Sequence, residues 1–192
     1  MVNCLVFLLL LFSSSLFGDY VLKEGKLLSS QKVATASAQE HYTALLEAYH
    51  TENWKEVMRQ GLIISENFKS SSFYKESLYY LALAYFHEND EQVANEKVSS
   101  YLENQGSLQH FKEALLLKFS IAERFKNGCK KHLLGWESLP KWAPAKEEAI
   151  HIYEEVINAL PNDDLAALAL YGKAQVLLEE EEFVASIETY QT

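Results

Sequence analysis

Apolar positions repeat at helical spacing along much of the chain, most densely near its middle. Residues 73–104 begin with a run that is apolar on two faces, continue through a polar break at 87–90, and end with a run that is apolar mainly on one side. A helix that is apolar on two faces lies between neighbours, so this pair of helices cannot bury its surfaces alone. The pattern predicts a helical hairpin stacked against further hairpins.

The pattern of the central hairpin recurs earlier and later in the chain. One constant shift along the sequence pairs residues of an earlier helix with those of the central one: Tyr42 with Tyr79, Tyr49 with Phe86, and His50 with His87. The same shift forwards leads into an apolar helix at 111–125. Repetition at this scale is typical of arrays in which each unit packs on its neighbours.

Helix-start signals mark the second helix of the first two hairpins. Asn53 and Glu56 have the spacing of a capping box, in which Asn53 caps the helix and Glu56 reaches back. Asn89 and Gln92 repeat the pattern. Each pair therefore predicts that a new helix begins directly after the polar break.

The C-terminal part of the chain predicts three further helices. Pro144 suits the first position of the sixth helix, where its missing N–H is not needed. Asp163 or Asp164 can cap the seventh. The acidic run 179–182 predicts a solvated turn, after which an amphipathic eighth helix starts at Phe183.

An insertion interrupts the third hairpin at 126–143. An ordinary turn between two such helices needs only a few residues, whereas this segment contains Trp136, Trp142 and the chain's locally basic patch. Long loops in compact helical arrays are often functional, which makes the two tryptophans candidates for a contact site. The alternative is that both indoles fold back onto the helices.

The N-terminus predicts export. Residues 4–12 form an apolar run too short to span about 30 Å of hydrocarbon. It fits the apolar core of a secretory signal peptide at 1–18, the alternative being a buried N-terminal helix. Residues 19–38 are polar with weak periodicity and predict a linker, and 39–192 form the helical domain. Export would place the protein in a bacterial periplasm or outside the cell.

Composition and charge exclude several classes of function. The chain has 192 residues, 48% of them hydrophobic, and a net charge of −10. That is enough apolar material for a folded core, while nucleic-acid binding would require a basic stripe that the sequence lacks. The overall charge also disfavours tight docking on anionic lipid surfaces. Cys4 and Cys129 are too few for a disulfide framework.

The sequence offers little that resembles an active site. It has no glycine-rich phosphate loop and no GxSxG motif. Cys129 and His132 resemble half of a zinc site, but the sequence has no second pair of ligands. The acidic pairs at 147–148 and 154–155 are expected on solvated helix faces. We therefore expect a protein that is not an enzyme, with no catalytic, cofactor-binding or metal-binding residues.

Several repeats resemble the tetratricopeptide repeat (TPR). The hairpin at 73–104 resembles the first half of that repeat, and a later segment matches its second half at Ala149, Tyr153, Val156 and Pro161. The resemblance implies an all-α fold, a TPR-like α-solenoid of about four helical hairpins, in which the first helix of each hairpin lines a concave groove.

The order of features resembles the BamD-type outer-membrane protein assembly factor, the periplasmic helper subunit of the β-barrel assembly machinery. The likeness covers about residues 38–190 and rests on the exported N-terminus, the segment 66–104, the insertion and the segment 149–163. The chain departs from the family at 68–69, where Tyr-Pro is usual, and in having no Cys in position for a lipid anchor. The family's C-terminal repeats, which hold the barrel-forming subunit, are expected to be shortened or absent.

This resemblance implies a non-enzymatic periplasmic scaffold that binds peptide segments or a partner subunit in its groove. Its partners would be barrel-assembly subunits or unfolded outer-membrane protein segments, with peripheral association with the outer membrane through a partner. The alternative is an exported TPR adaptor of another envelope pathway, such as a Tol-linked cell-division coordinator. The groove positions are Tyr42, Tyr49, Tyr79, Phe86, His50 and His87. Aromatic rings exposed there could hold a peptide, or they could pack between helices as core.

Overall fold

The computed structural model describes residues 20–23, 26–29, 33–103 and 108–191. Within these ranges most of the chain is helical, which confirms the all-α class. The described residues form eight α-helices: α1 (Ala38–His50), α2 (Trp54–Asn67), α3 (Phe73–His87), α4 (Glu91–Leu102), α5 (Phe111–Lys126), α6 (Lys146–Ala159), α7 (Asp164–Glu179) and α8 (Phe183–Gln191).

Side-chain caps explain where the first helices begin. Ser37 and Glu40 form a capping box before α1, with the Ser37 N–H donating to the Glu40 carboxylate at 2.9 Å. Asn53 caps α2 by accepting a hydrogen bond from the Glu56 N–H at 3.3 Å, as predicted. The predicted return contact is not made, because the Glu56 carboxylate instead accepts from Arg59 at 2.6 and 2.8 Å.

The same turn follows α1, α3, α5 and α7. In each case one residue has a left-handed backbone, with φ between 54° and 96°: Glu52, Asn89, Gly128 and Glu181. The N–H of the next residue then donates to the carbonyl five positions back, at 2.8 to 3.0 Å. This is the Schellman arrangement, which satisfies helix-end carbonyls. This shared turn follows the first helix of each pair, so the described helices are arranged as four pairs.

Packing between the helices is sequential. Each helix contacts the next one, and α1, α3, α5 and α7 also contact one another in that order. One continuous cluster of buried side chains runs from Leu45 in α1 to Val176 in α7. Helices approach closely at two glycines, because a Cβ built on Gly61 would lie 2.5 Å from Leu81 and one built on Gly172 would lie 2.6 Å from Tyr153.

In the part of the chain that the structure describes, two short antiparallel strand pairs accompany the helices. The first joins β1 (Tyr20–Lys23) to β2 (Lys26–Ser29), in register Tyr20 opposite Ser29. It lies in the segment 19–38, for which the sequence predicts a linker. The hydrophobic periodicity of this segment is too weak to predict these strands from the sequence. The predicted signal peptide at 1–18 lies outside the described residues.

The second strand pair lies in the predicted insertion. Strand β3 (Lys131–His132) pairs with β4 (Lys141–Ala143), and a short 3₁₀ turn (Leu133–Gly135) begins the connection between them. Both strands follow the turn that ends α5 and precede α6. The insertion is therefore an ordered ribbon between the two helices of the third pair.

Two predicted helix starts are wrong. Asn89 does not cap α4, because it takes the left-handed position that ends α3, and the cap falls on Asp90 without a side-chain hydrogen bond. Gln92 instead accepts a hydrogen bond from the backbone of the ribbon. Pro144 is not the first helical residue, since it directly follows β4 and α6 begins at Lys146. Asp163 does cap α7, accepting from the Leu165 N–H at 3.0 Å.

Candidate functional site

Aromatic side chains form a connected row along the first two helix pairs. We call it the aromatic row and define it by its eight rings: Tyr42, Tyr49, Trp54, Phe73, Tyr79, Tyr80, Phe86 and His87. Each ring centroid lies within 6.3 Å of another in the row. The row links α1, α2 and α3, so it depends on how these helices pack.

The first half of the row is built from α1 and α3. Tyr42 stacks on Phe73 at 4.9 Å, and the edge of Tyr80 meets Tyr42 at 6.3 Å and Tyr49 at 5.0 Å. These offset and edge-on arrangements are the ones that aromatic rings prefer. Burial, followed by the charge of nearby groups, raises the pKa of Tyr42 and Tyr80. Both phenols therefore stay protonated. Tyr42 is half-buried, whereas Tyr80 is only 8% exposed and belongs to the core.

The second half of the row lies where α1 and α3 end and α2 begins. Trp54 stacks flat on His87, with centroids 3.8 Å apart and planes 4° from parallel. The Arg124 guanidinium lies 3.6 Å from the Phe86 ring centroid, and its Nη1 donates to the Phe86 carbonyl at 2.8 Å. Partial desolvation, followed by the charge of Arg124, lowers the pKa of His87. The stacked imidazole is thus kept neutral beside a cation.

The predicted groove residues do not share one environment. Tyr42, Tyr49 and Phe86 are half-buried, so each leaves part of its ring open to solvent, and the predicted residues His50 and His87 are exposed. These five are accessible to a ligand. Whether they bind one stays a prediction.

Tyr79 is the exception among the predicted positions. Only 7% of it is exposed, so it packs as core. The cause is the helix that follows the second pair: Tyr79 stacks on His110, the residue before α5, at 4.4 Å, and contacts Tyr101 at 5.6 Å. The sequence pattern places Tyr79 on the groove face of its own helix but does not predict this cover from α5.

A carboxylate and an imidazole lie beside the row. The Glu76 carboxylate is 3.5 Å from His110 Nε2, and the two side chains are 19% and 20% exposed. Neither Glu76 Oε2 nor His110 Nε2 makes a hydrogen bond within the described part of the chain.

Three rings and one cation of this site were missed by sequence reasoning. Tyr80 neighbours Tyr79, and since adjacent helical residues point about 100° apart, a pair of tyrosines signals two aromatic faces. Trp54 and Phe73 begin α2 and α3, where they meet rings from other helices. Arg124 is distant in sequence and no local pattern indicates its position over Phe86.

Trp136 and Trp142 lie apart from the row in sequence and in packing. They belong to the ribbon segment, whose strand β3 contacts α4. They are 64% and 68% exposed, so the interpretation in which both indoles fold back onto the helices is wrong. A role in contacts stays a prediction.

No metal centre is formed by the described side chains. Across residues 33–103 and 108–191, no group of three or more His, Cys, Asp or Glu side chains is placed to hold an ion. His132 is instead engaged with Leu139 and Asp90. None of the described helices is both long enough and apolar enough to cross a membrane.

Comparison with known proteins identifies no family to which the chain can be assigned. No protein-family model matches the chain, and no curated protein matches it.

Proposed function

We propose that the chain is a TPR-like α-solenoid of four helical hairpins that acts as a non-enzymatic scaffold. Two features support the repeat. The four odd-numbered helices contact one another in series, and each ends in the same left-handed turn. An array built in this way presents the first helix of every pair on one common surface.

The aromatic row is the observation that carries the proposed binding role. Half-buried rings of Tyr42, Tyr49 and Phe86 lie on successive first helices, α1 and α3. A large ring loses little conformational entropy on binding and brings a large contact area, which is why aromatic residues dominate binding hot spots. A row of rings fits an extended peptide or the edge of a partner domain.

The resemblance to the BamD-type factors suggests what the ligand is. We propose that the row holds unfolded outer-membrane barrel-protein segments or a barrel-assembly subunit in the periplasm. Export would depend on the predicted signal peptide at 1–18, and contact with the outer membrane would be peripheral, through a partner. The first two hairpins are the region that this family associates with binding of unfolded segments.

The binding role is tested with fluorescent peptides taken from outer-membrane barrel proteins. Replacing Tyr49 with alanine should raise Kd about 5- to 30-fold, because loss of one hot-spot ring costs about 1–2 kcal/mol. Tyr190→Ala is the matched control, since Tyr190 is 49% exposed on α8, outside the row, and its loss should leave Kd unchanged. Equal Kd values for wild type and Tyr49→Ala would refute binding at the row.

The pathway is tested separately by capture of partners from an envelope extract. Recovery of barrel-assembly subunits by the wild type, and their loss with Tyr49→Ala, would support the proposal. Recovery of Tol proteins or peptidoglycan enzymes instead would favour an adaptor of that other pathway. Both outcomes can be measured even if isolated peptides bind weakly, because the capture experiment detects whole partner proteins.

A further inference from the structure

The ribbon at 126–143 is held in a defined shape by its own backbone. Besides the strand pair β3–β4, the Leu133 N–H donates to the Pro140 carbonyl at 3.1 Å and the Leu139 N–H to the Trp136 carbonyl at 2.9 Å. These bonds close the connection between the strands into a compact turn. The segment is therefore a built projection of the fold.

The ribbon is also anchored to the turn between α3 and α4. His132 Nδ1 donates to the Leu139 carbonyl at 2.6 Å, and its Nε2 lies 3.1 Å from the Asp90 carboxylate. The His132 N–H donates to the Gln92 side chain at 2.9 Å. Lys141 pairs with Asp90 at 3.2 Å. The turn between the strands is held as well, since the Gly135 carbonyl accepts a hydrogen bond from Gln92 Nε2 at 3.5 Å.

The anchored ribbon carries large apolar side chains that remain exposed. Leu134 is 77%, Trp136 64% and Trp142 68% exposed. Trp142 stands outward because it alternates along β4 with Lys141 and Ala143, whose side chains are half-buried. Single exposed apolar residues are ordinary, but three together on one anchored projection indicate a contact surface.

The backbone at the tip supports this interpretation. Leu134 has φ 55° and the next residue, Gly135, has φ 76°. Glycine adopts the left-handed region freely, whereas residues with side chains do so rarely. The ribbon thus holds Leu134 in a disfavoured conformation in which its side chain is displayed to solvent. Strained displays of this kind are concentrated at functional sites.

The charge of the ribbon is opposite to that of the whole protein. Residues 127–143, between α5 and α6, contain three lysines and one glutamate, a net charge of +2 with His132 neutral, whereas the chain carries −10. Lys126 ends α5 and pairs with Glu123. Lys130 is exposed and has no ion-pair partner among the described residues. Lys131 and Lys141 are paired to carboxylates, with 33% and 29% of each side chain still exposed.

We propose that the ribbon docks this protein on an anionic phospholipid surface, a direct contact in addition to the partner-mediated one proposed above. Leu134, Trp136 and Trp142 enter the interfacial layer, and Lys130 and Lys131 reach the headgroups. Indole rings favour that layer because they have an apolar body and a polar N–H, and lysine stems can lie along apolar surface while the ammonium stays in water. Anionic headgroups attract the basic ribbon while they repel the acidic remainder of the chain, so docking is oriented.

A lipid surface fits these features better than a protein groove. The exposed apolar side chains lie on one short ribbon together with exposed or half-exposed lysines, which is the composition of interfacial membrane contacts. The ribbon packs on α4 and on the turn before it, whereas the aromatic row lies on α1, α2 and α3. Docking through the ribbon therefore leaves most of the row available, and it does not depend on the proposed peptide binding.

The experiment measures partition of the full chain onto vesicles by flotation. The vesicles are pure phosphatidylcholine or phosphatidylcholine mixed with phosphatidylglycerol. Wild-type protein should bind the anionic vesicles and shift its tryptophan emission to shorter wavelength. The double variant Trp136→Ala/Trp142→Ala should partition about tenfold or more weakly.

A matched control is offered by α7, where Leu168 and Tyr171 are 54% and 56% exposed. The double variant Leu168→Ala/Tyr171→Ala removes similar exposed apolar area and should bind vesicles as the wild type does. Circular dichroism confirms that both double variants keep their helices. In a Trp54→Phe background, the emission shift comes from the two ribbon indoles alone.

Three results would overturn the proposal. The first is no partition of the wild type onto anionic vesicles, and the second is equal partition of wild type and the ribbon variant. The third is equal binding to both vesicle types, which would remove the role of the lysines. Loss of a captured protein on changing the two tryptophans, with no vesicle binding, would show a protein contact instead. Peptide affinity measured without lipid stays independent of all these outcomes.

Discussion

The close contact between α2 and α3 gives a sharp test of the helix packing on which the aromatic row depends. A Cβ added to Gly61 would lie 2.5 Å from Leu81 Cγ and 2.9 Å from Cδ2. Leu81 is fully buried, so its side chain cannot swing into solvent to make room. Gly61→Ala must therefore push the two helices apart or strain the leucine.

Two opposing effects set the magnitude. Overpacking of a filled core costs about 1–3 kcal/mol. Replacing glycine with alanine inside a helix stabilises the helix by about 1 kcal/mol. Because the contact is far inside van der Waals distance and is made by a buried side chain, the overpacking term should dominate. We expect Gly61→Ala to lower the free energy of unfolding by about 1–2 kcal/mol.

The sign of the effect should reverse when the obstructing side chain is shortened. Leu81→Ala alone should cost about 2–5 kcal/mol through the cavity it leaves. In that background the added methyl group meets no leucine, so Gly61→Ala should stabilise by about 1 kcal/mol. Urea unfolding followed by circular dichroism measures all four proteins, and the difference between backgrounds is the coupling energy.

A matched control comes from the other close approach. A Cβ on Gly172 would meet Tyr153 at 2.6 Å, away from Leu81. Gly172→Ala should therefore destabilise by the same amount with or without Leu81→Ala, since distant sites are additive. If Gly61→Ala had the same effect in both backgrounds, the close contact between the two helices would not be the reason for the glycine.

Three further substitutions test other parts of the fold by urea unfolding. Lys118 is 2% exposed and donates to three side chains, so Lys118→Met should cost about 1–3 kcal/mol, and no loss would show that the buried ammonium is dispensable. The hydrogen bond to the Leu139 carbonyl, and then the Asp90 carboxylate, raise the pKa of His132. The resulting stability is complete below the ordinary histidine pKa and is lost as pH rises through the folded value, so His132→Asn should destabilise more at about pH 5 than at about pH 8. A pH-independent effect would contradict this. Asp163→Ala should cost about 1 kcal/mol as a lost helix cap, and Asp163→Asn, which can still cap, should cost less.

Local chemistry explains which elements could be predicted. Asp163 caps α7 where the sequence places it, and the acidic residues 180–182 form the turn before α8. Caps and solvated turns depend on residues a few positions apart, so a local sequence pattern predicts them. Gly128, with φ 96°, likewise occupies a position that favours glycine.

The failures occur where a residue has a choice of roles. Asn89 can either cap the next helix or end the previous one. In the structure it adopts the left-handed conformation that ends α3. Glu52 and Glu181 hold the same left-handed position without the glycine or asparagine that would signal it. These turns recur because of how the helices stack, and local residue propensities do not predict that stacking.

The aromatic site shows the same division. The spacing of Tyr42, Tyr49 and Phe86 identified rings on a helix face, and all three are partly open. Whether a ring stays open depends on the element that covers it, and Tyr79 is closed by His110 from the start of the next pair. Exposure is a property of neighbours and cannot be read from one helix.

The amino-acid sequence alone determined that this chain forms amphipathic helices in pairs, because helical period and most helix ends depend on nearby residues. Tertiary packing decided which side chains stay open. It joined rings from three helices into one row, placed Arg124 over Phe86, and turned the insertion into an anchored ribbon with both of its tryptophans outside. Those contacts connect residues far apart in sequence, where no local pattern constrains them.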